Sequence, residues 1–278
     1  MKKMKRLISM VITFCMMFSL FTMPVSASDS IGNLKEVLTV FDEATNEVPE
    51  MKYTDVKPDD WFYAEVGAMY VSGLMTGKDE AGEIFAPYEN VARAQFATIV
   101  YRLLGGEETL RGVEAEGNVV ENPFPDVEDD AWYADAIRLA AFTGIVTGYA
   151  DTKMFGPGDD INREQLATML FRLGNVMNEF QEGMFDMEIT ESDADFTKYA
   201  DASSVNGFAK DAMAWAVGKG IVKGKYEGTQ LDPQGTASRA ECAIMMTRFI
   251  LTINDDVLDS TDKTPGTPDG SGTTPANE

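Results

Sequence analysis

The sequence predicts an all-α body built from three copies of one helix-loop-helix unit, their apolar faces turned towards a common axis. Three observations carry this. Five sequence features recur in the same order three times between residues 53 and 250. The separation from the opening aromatic to a central arginine is 40, 39 and 40 residues in the three copies. After each arginine, apolar residues fall at i, i+3, i+4 and i+7, the spacing of one helical face. One stripe on a short helix cannot close a core, but three converging stripes can. One unit with pseudo-threefold symmetry is therefore expected, rather than three independent domains.

In chain order, residues 1–27 read as a secretory signal. Lys2, Lys3, Lys5 and Arg6 precede a mostly apolar run from Leu7 to Phe21, and Val25-Ser26-Ala27 offers small residues for cleavage. The run is too short for an ordinary membrane span. Residues 28–50 carry Ile31, Leu34, Val37, Leu38 and Phe41 at helical spacing, a short docking helix.

Copy one (51–104) opens with Tyr53-Thr54-Asp55-Val56, followed by Trp61, the glycine frame Gly73 to Gly77, Phe85-Ala86-Pro87 and Val91-Ala92-Arg93-Ala94-Gln95. Copy two (123–173) has Phe124-Pro125-Asp126-Val127, Trp132, Gly144 to Gly148, Phe155-Gly156-Pro157 and Ile161-Asn162-Arg163-Glu164-Gln165. Copy three (199–252) has Tyr199-Ala200-Asp201-Ala202, Phe208, Gly220 to Gly224, Leu231-Asp232-Pro233 and Ala237-Ser238-Arg239-Ala240-Glu241. The stripes that follow are Phe96, Ile99, Val100, Leu103; Leu166, Met169, Leu170, Leu173; and Cys242, Met245, Met246, Phe249. Cys242 thus reads as a core residue rather than a reactive thiol. Residues 105–122 and 174–198 are linkers. The second contains Phe180, Met184, Phe185, Met187 and Ile189 among acids, and either packs on the body or binds a partner. Residues 253–278 form a Thr/Pro/Gly-rich tail whose composition predicts disorder.

Charge and composition exclude much. The 278 residues carry a formal net charge of −23 and no histidine. Such a chain has no overall field to attract nucleic acid or an anionic membrane. Histidine-dependent catalysis is ruled out. No Asp/Glu pair recurs with distinctive spacing, so a glycosidase is not expected. EF-hand loops are absent, and no metal or other cofactor is expected.

The candidate functional residues are the repeated ones. Arg93, Arg163 and Arg239 stand at the first position of the second helices, with Asn162 and Ser238 as caps and Gln165 and Glu241 at capping-box distance. A cation there opposes the helix dipole, a poor choice for stability. It suits an anion site, where backbone N–H groups and a guanidinium converge on a carboxylate or phosphate. The alternative is an arginine neutralised by a neighbouring acid. Ala92 cannot cap, so the helix start of copy one is less defined. Gly73, Gly144 and Gly220 suit left-handed helix C-caps. Gly77, Gly148 and Gly224 either admit a partner's close approach or form tight turns. Trp61 and Trp132 either stack on a sugar face or cover the core, the second being preferred. Asp55, Asp126 and Asp201 fix a loop by local hydrogen bonds.

The ordered series of aromatic-x-Asp-Val, Trp, glycine frame, aromatic-x-Pro and Arg-centred motif resembles the S-layer homology (SLH) domain family in all three copies. Departures are Gln95 and Gln165 where Glu is usual, Ala92 for Thr, and Phe208 for Trp. The resemblance implies a three-pronged pseudo-trimer with grooves between prongs. It implies non-covalent anchoring to the Gram-positive wall through a secondary cell wall polysaccharide, in many members one bearing a pyruvate ketal on N-acetylmannosamine. That carboxylate matches the anion site. The implied contacts are Arg93, Arg163 and Arg239, Gly77, Gly148 and Gly224, with Trp61, Trp132, Asp55, Asp126 and Asp201. The chain is then a secreted, monomeric surface protein. Direct peptidoglycan binding, or surface-layer assembly through a protein partner, are the alternatives.

Overall fold

The computed structural model describes residues 50–180, 186–189 and 198–253. The expected secretory signal and docking helix, and the tail beyond residue 253, lie outside the described residues. The described residues form seven α-helices: α1 (Tyr63–Val71), α2 (Arg93–Leu103), α3 (Gly106–Ala115), α4 (Ala134–Phe142), α5 (Arg163–Phe180), α6 (Lys210–Gly218) and α7 (Arg239–Ile250). No strand is assigned among the described residues, so the fold is all-α.

The first helix of each copy, α1, α4 or α6, has only nine residues. Helices this short are marginal alone and hold their shape through packing. Each ends at a glycine in the left-handed region, Gly73 (φ 65°), Gly144 (φ 78°) and Gly220 (φ 71°), as their sequence positions suggested. The twelve predicted stripe residues on α2, α5 and α7 are all buried. Cys242 is one of them, and burial pushes its thiol up to about 12.

The packing partners cross between copies. α4 of copy two lies on α2 of copy one, and α6 of copy three lies on α5 of copy two. α1 of copy one lies on α7 of copy three, so the pairing closes on itself. A single apolar core includes residues from all three copies. Among its residues three backbone bonds run in a circle. Ile161 N donates to Val91 O (2.8 Å), Ala237 N to Ile161 O (2.9 Å) and Val91 N to Ala237 O (3.0 Å).

The stretch 105–122 is more than a connection. Gly105 and Gly106, with φ of 91° and 60°, break the axis of α2, and α3 follows. Leu110, Val113 and Val120 form a small satellite core there. The described part of the second linker packs on the body. Met187 and Ile189 lie against the core, and Trp215 Nε1 donates to Asp186 O (3.0 Å).

Candidate functional site

The aromatic-x-Pro segment organises each copy. Its first two amides donate to one aspartate. Asp55 accepts from Phe85 N (2.8 Å) and Ala86 N (2.7 Å). Asp126 accepts from Phe155 N (2.8 Å) and Gly156 N (2.7 Å), and Asp201 from Leu231 N (2.8 Å) and Asp232 N (2.7 Å). These bonds span about thirty residues, so the aspartates fasten the loop from a distance rather than locally. The middle residue is forced to positive φ: Ala86 58°, Gly156 70°, Asp232 51°. None of the three aspartates lies in the linings of the two grooves described below.

Burial favours the neutral form of Asp126, but the amides of Phe155 and Gly156 outweigh it and hold the carboxyl below its ordinary value. A depressed carboxylate contributes stability above its unfolded pKa and loses it as pH falls through the folded value. Asp126→Asn should therefore lower the melting temperature at pH 7 and flatten the acid limb of a melting-temperature profile below about pH 4.

The arginines approach the same segment from another copy. Arg93 Nε donates to Phe155 O (2.7 Å), Arg163 Nε to Leu231 O (2.9 Å) and Arg239 Nε to Phe85 O (2.6 Å). Arg239 Nη2 also donates to Thr76 O (2.7 Å). The three are only 3–6% exposed. Burial draws each guanidinium below its ordinary value, although an arginine stays charged.

The free amides expected at these helix N-termini are not free. Arg93 N and Ala94 N donate to Asp159 O and Pro157 O, Arg163 N and Glu164 N to Gly235 O and Pro233 O, and Arg239 N and Ala240 N to Glu89 O and Pro87 O. The first turn of each second helix is thus capped by the neighbouring copy's loop. The same bonds define the start of α2 at Arg93 although Ala92 cannot cap, with Gln95 Oε1 accepting from Ala92 N (3.1 Å). A helix-terminus anion site therefore reduces to its guanidinium.

Gly77, Gly148 and Gly224 face their own loops. A Cβ on Gly148 would stand 2.7 Å from Met154 O and 2.9 Å from the Phe124 ring, and one on Gly77 2.5 Å from Gly82 C. Tight backbone approach within the copy accounts for them. Gly148→Ala should cost about 1–3 kcal/mol in a denaturant titration, because backbone must move.

Trp61 and Trp132, expected on balance to cover the core, are 63% and 69% exposed. Their neighbour in sequence turns inward instead: Phe62 is fully buried and Tyr133 packs on the core, each meeting its tryptophan edge to face. Trp215 is the tryptophan that is buried.

Two grooves gather these residues. One, of about 210 Å³, combines Gly77 and Lys78, Gln95 and Arg102 of copy one with Trp132 of copy two and Arg239 of copy three. The other, of about 180 Å³, combines Gly224 and Lys225, Glu241 and Arg248 of copy three with Trp61 of copy one and Arg163 of copy two. The two linings correspond position by position. In the second, Lys225 Nζ pairs with Glu241 Oε1 (2.9 Å), and Arg163 Nη1 lies 3.6 Å from the same oxygen. Lys78 pairs with Glu89.

Arg102 and Arg248 were missed from the sequence. Each stands nine residues after its motif arginine, as does Arg172. Arg102 Nη1 donates to Leu74 O (3.0 Å), Arg172 Nη1 to Thr147 Oγ1 (3.2 Å) and Arg248 Nη1 to Ile221 O (3.5 Å). Their shared register was the available signal. Chemically, each groove offers an aromatic face and a cluster of guanidinium and ammonium donors, a combination suited to a sugar carrying a carboxylate.

Comparison with known proteins gives the same three units. The family model "S-layer homology domain" matches residues 52–97, 123–167 and 198–243. The chain is similar to the Surface-layer 125 kDa protein of Lysinibacillus sphaericus, 30% identical over 191 residues, which are 68% of this chain and 14% of that protein. It is similar to an endoglucanase of Bacillus sp. (strain KSM-635), 26% identical over 249 residues, 90% of this chain and 22% of the enzyme. It is also similar to the Cellulosome-anchoring protein of Acetivibrio thermocellus, 27% identical over 187 residues, 66% of this chain and 38% of that protein. The chain thus spans well under half of the length of each of these relatives. With three tandem matches falling on the three copies of its own repeat, the chain belongs to the S-layer homology domain family.

Proposed function

We propose that the chain is a non-catalytic anchor that holds itself to the cell wall by binding an anionic secondary wall polysaccharide in grooves between its repeats. The observation that carries this reading is the pair of matching grooves, each built by three copies and each offering an exposed tryptophan beside guanidinium groups. The chain is a cell-surface protein. Its relatives include a surface-layer protein and a cellulosome-anchoring protein. The similarity to an endoglucanase covers only 22% of that enzyme, and the match here is to repeats without histidine or a repeated acid pair.

On this reading the cyclic helix pairing forms a three-pronged pseudo-trimer, and the grooves run between its prongs. Trp61 or Trp132 stacks on the sugar. Arg163 with Arg248, or Arg239 with Arg102, receives a carboxylate such as a pyruvate ketal. Recognition is local, because a chain of net charge −23 repels a polyanion at long range. Glu241 sits in the copy-three groove where copy one has Gln95, so the copy-one groove leaves its arginine without an acid competitor in the lining.

The test is calorimetric titration of the purified chain with wall polysaccharide in native form and after removal of pyruvate. Binding of the first and not the second supports the proposal. Equal binding of both contradicts the carboxylate assignment, and binding of polysaccharide-free peptidoglycan instead contradicts the ligand class.

A further inference from the structure

We infer that the chain takes its anionic glycan at two grooves and not three, because Tyr149 closes the third. This rests on the groove reading proposed above. The register of the repeat places the third groove in copy two, with Arg93 supplied by copy one and Phe208 by copy three. The turn containing Phe208 packs on α5, where that groove's rim would be.

The position after the second framing glycine is Lys78 in copy one and Lys225 in copy three, but Tyr149 in copy two. The Arg93 guanidinium carbon lies 4.7 Å from the centroid of the Tyr149 ring and 4.7 Å from that of the Phe155 ring. Cation–π contact of this kind holds an aromatic ring on the cation. The Tyr149 hydroxyl donates to Asp159 Oδ2 (3.0 Å), which fixes the ring from its far end.

A second feature accommodates this lid. The residue between Phe155 and Pro157 is Gly156, where the other copies have Ala86 and Asp232. A Cβ at Gly156 would stand 2.8 Å from Tyr149 Cε2 and 2.3 Å from Asp159 Oδ2. Copy two thus combines a tyrosine for lysine with a glycine that makes room for it. An incoming carboxylate would meet no lysine there, would have to lift Tyr149 off Arg93, and would find Phe208 in place of tryptophan. Tyr149 is therefore the residue that sets the number of working sites.

Calorimetry of the full chain with N-acetylmannosamine carrying a pyruvate ketal tests this. The wild type should bind two equivalents. Arg102→Gln and Arg248→Gln should each remove one. Tyr149→Lys should raise the count to three, and Tyr149→Ala should admit a weaker third equivalent. Three equivalents in the wild type overturn the inference. So does a count that stays at two in both Tyr149 variants when their melting temperatures match the wild type. Absence of binding by the wild type overturns the groove reading itself, and this inference with it.

Discussion

Replacing Arg239 by alanine should destabilise the body by about 2–5 kcal/mol, the cost of leaving two carbonyls without a charged donor and of losing a buried side chain. The reason lies in what the guanidinium holds. It ties copy three to copy one by bonds to Phe85 O and Thr76 O, and its aliphatic stem is buried with it. Removal leaves carbonyls at the interface of two copies without their charged donor, each such loss costing about 1–3 kcal/mol. The α1–α7 contact closes the ring of helix pairs, so this loss bears on the whole body. Urea titration followed by far-UV circular dichroism should show an early midpoint. An unchanged midpoint would mean that the arginine serves a ligand and not the fold. The consequence for binding studies is practical: a loss of wall binding in this variant would not separate affinity from folding.

Replacing Trp61 and Trp132 together by alanine should do the opposite, leaving stability near wild type while abolishing attachment. Both side chains are mostly exposed, so little core is lost. An aromatic anchor at the centre of an interface is worth about 2 kcal/mol or more, so each groove should lose roughly 30-fold in affinity. Two grooves acting on one polymer multiply their effects, so the double variant should fall far below either single one. Co-sedimentation of the single and double variants, beside their melting curves, checks this. Retained attachment by the folded double variant would remove the tryptophans from the site.

Much of the fold was legible because each repeated motif has a physical partner in another repeated motif. The spacing from opening aromatic to arginine holds at 39–40 residues because the aspartate, the aromatic-x-Pro segment and the arginine of an adjacent copy all meet. The stripes were legible because a buried helix face leaves a period of three to four. The pairing between copies was not legible, since each stripe looks the same whichever helix it meets. Nor was the fate of the N-terminal amides of α2, α5 and α7. Sequence shows a cation at a helix start, but not that a neighbouring loop already occupies those donors.

Part of the groove lining was legible too. Arg163, Arg239, Gly77, Gly224, Trp61 and Trp132 do line grooves, while Asp55, Asp126 and Asp201 hold loops. The tryptophans were misjudged because an aromatic pair such as Trp61-Phe62 does not announce which ring goes in. Tyr149 drew no notice because its role depends on Arg93 from a different copy and on Gly156 beneath it. Helix α3 hid in an acid-rich stretch whose two inward residues, Leu110 and Val113, make too short a pattern to stand out.

On the proposed function, the folded repeats attach to the wall through its polysaccharide. The most direct measurement is co-sedimentation of the purified chain with native sacculi and with sacculi stripped of their secondary polysaccharide. The chain should pellet with the first and stay in solution with the second. Equal pelleting with both, or none with either, would contradict it.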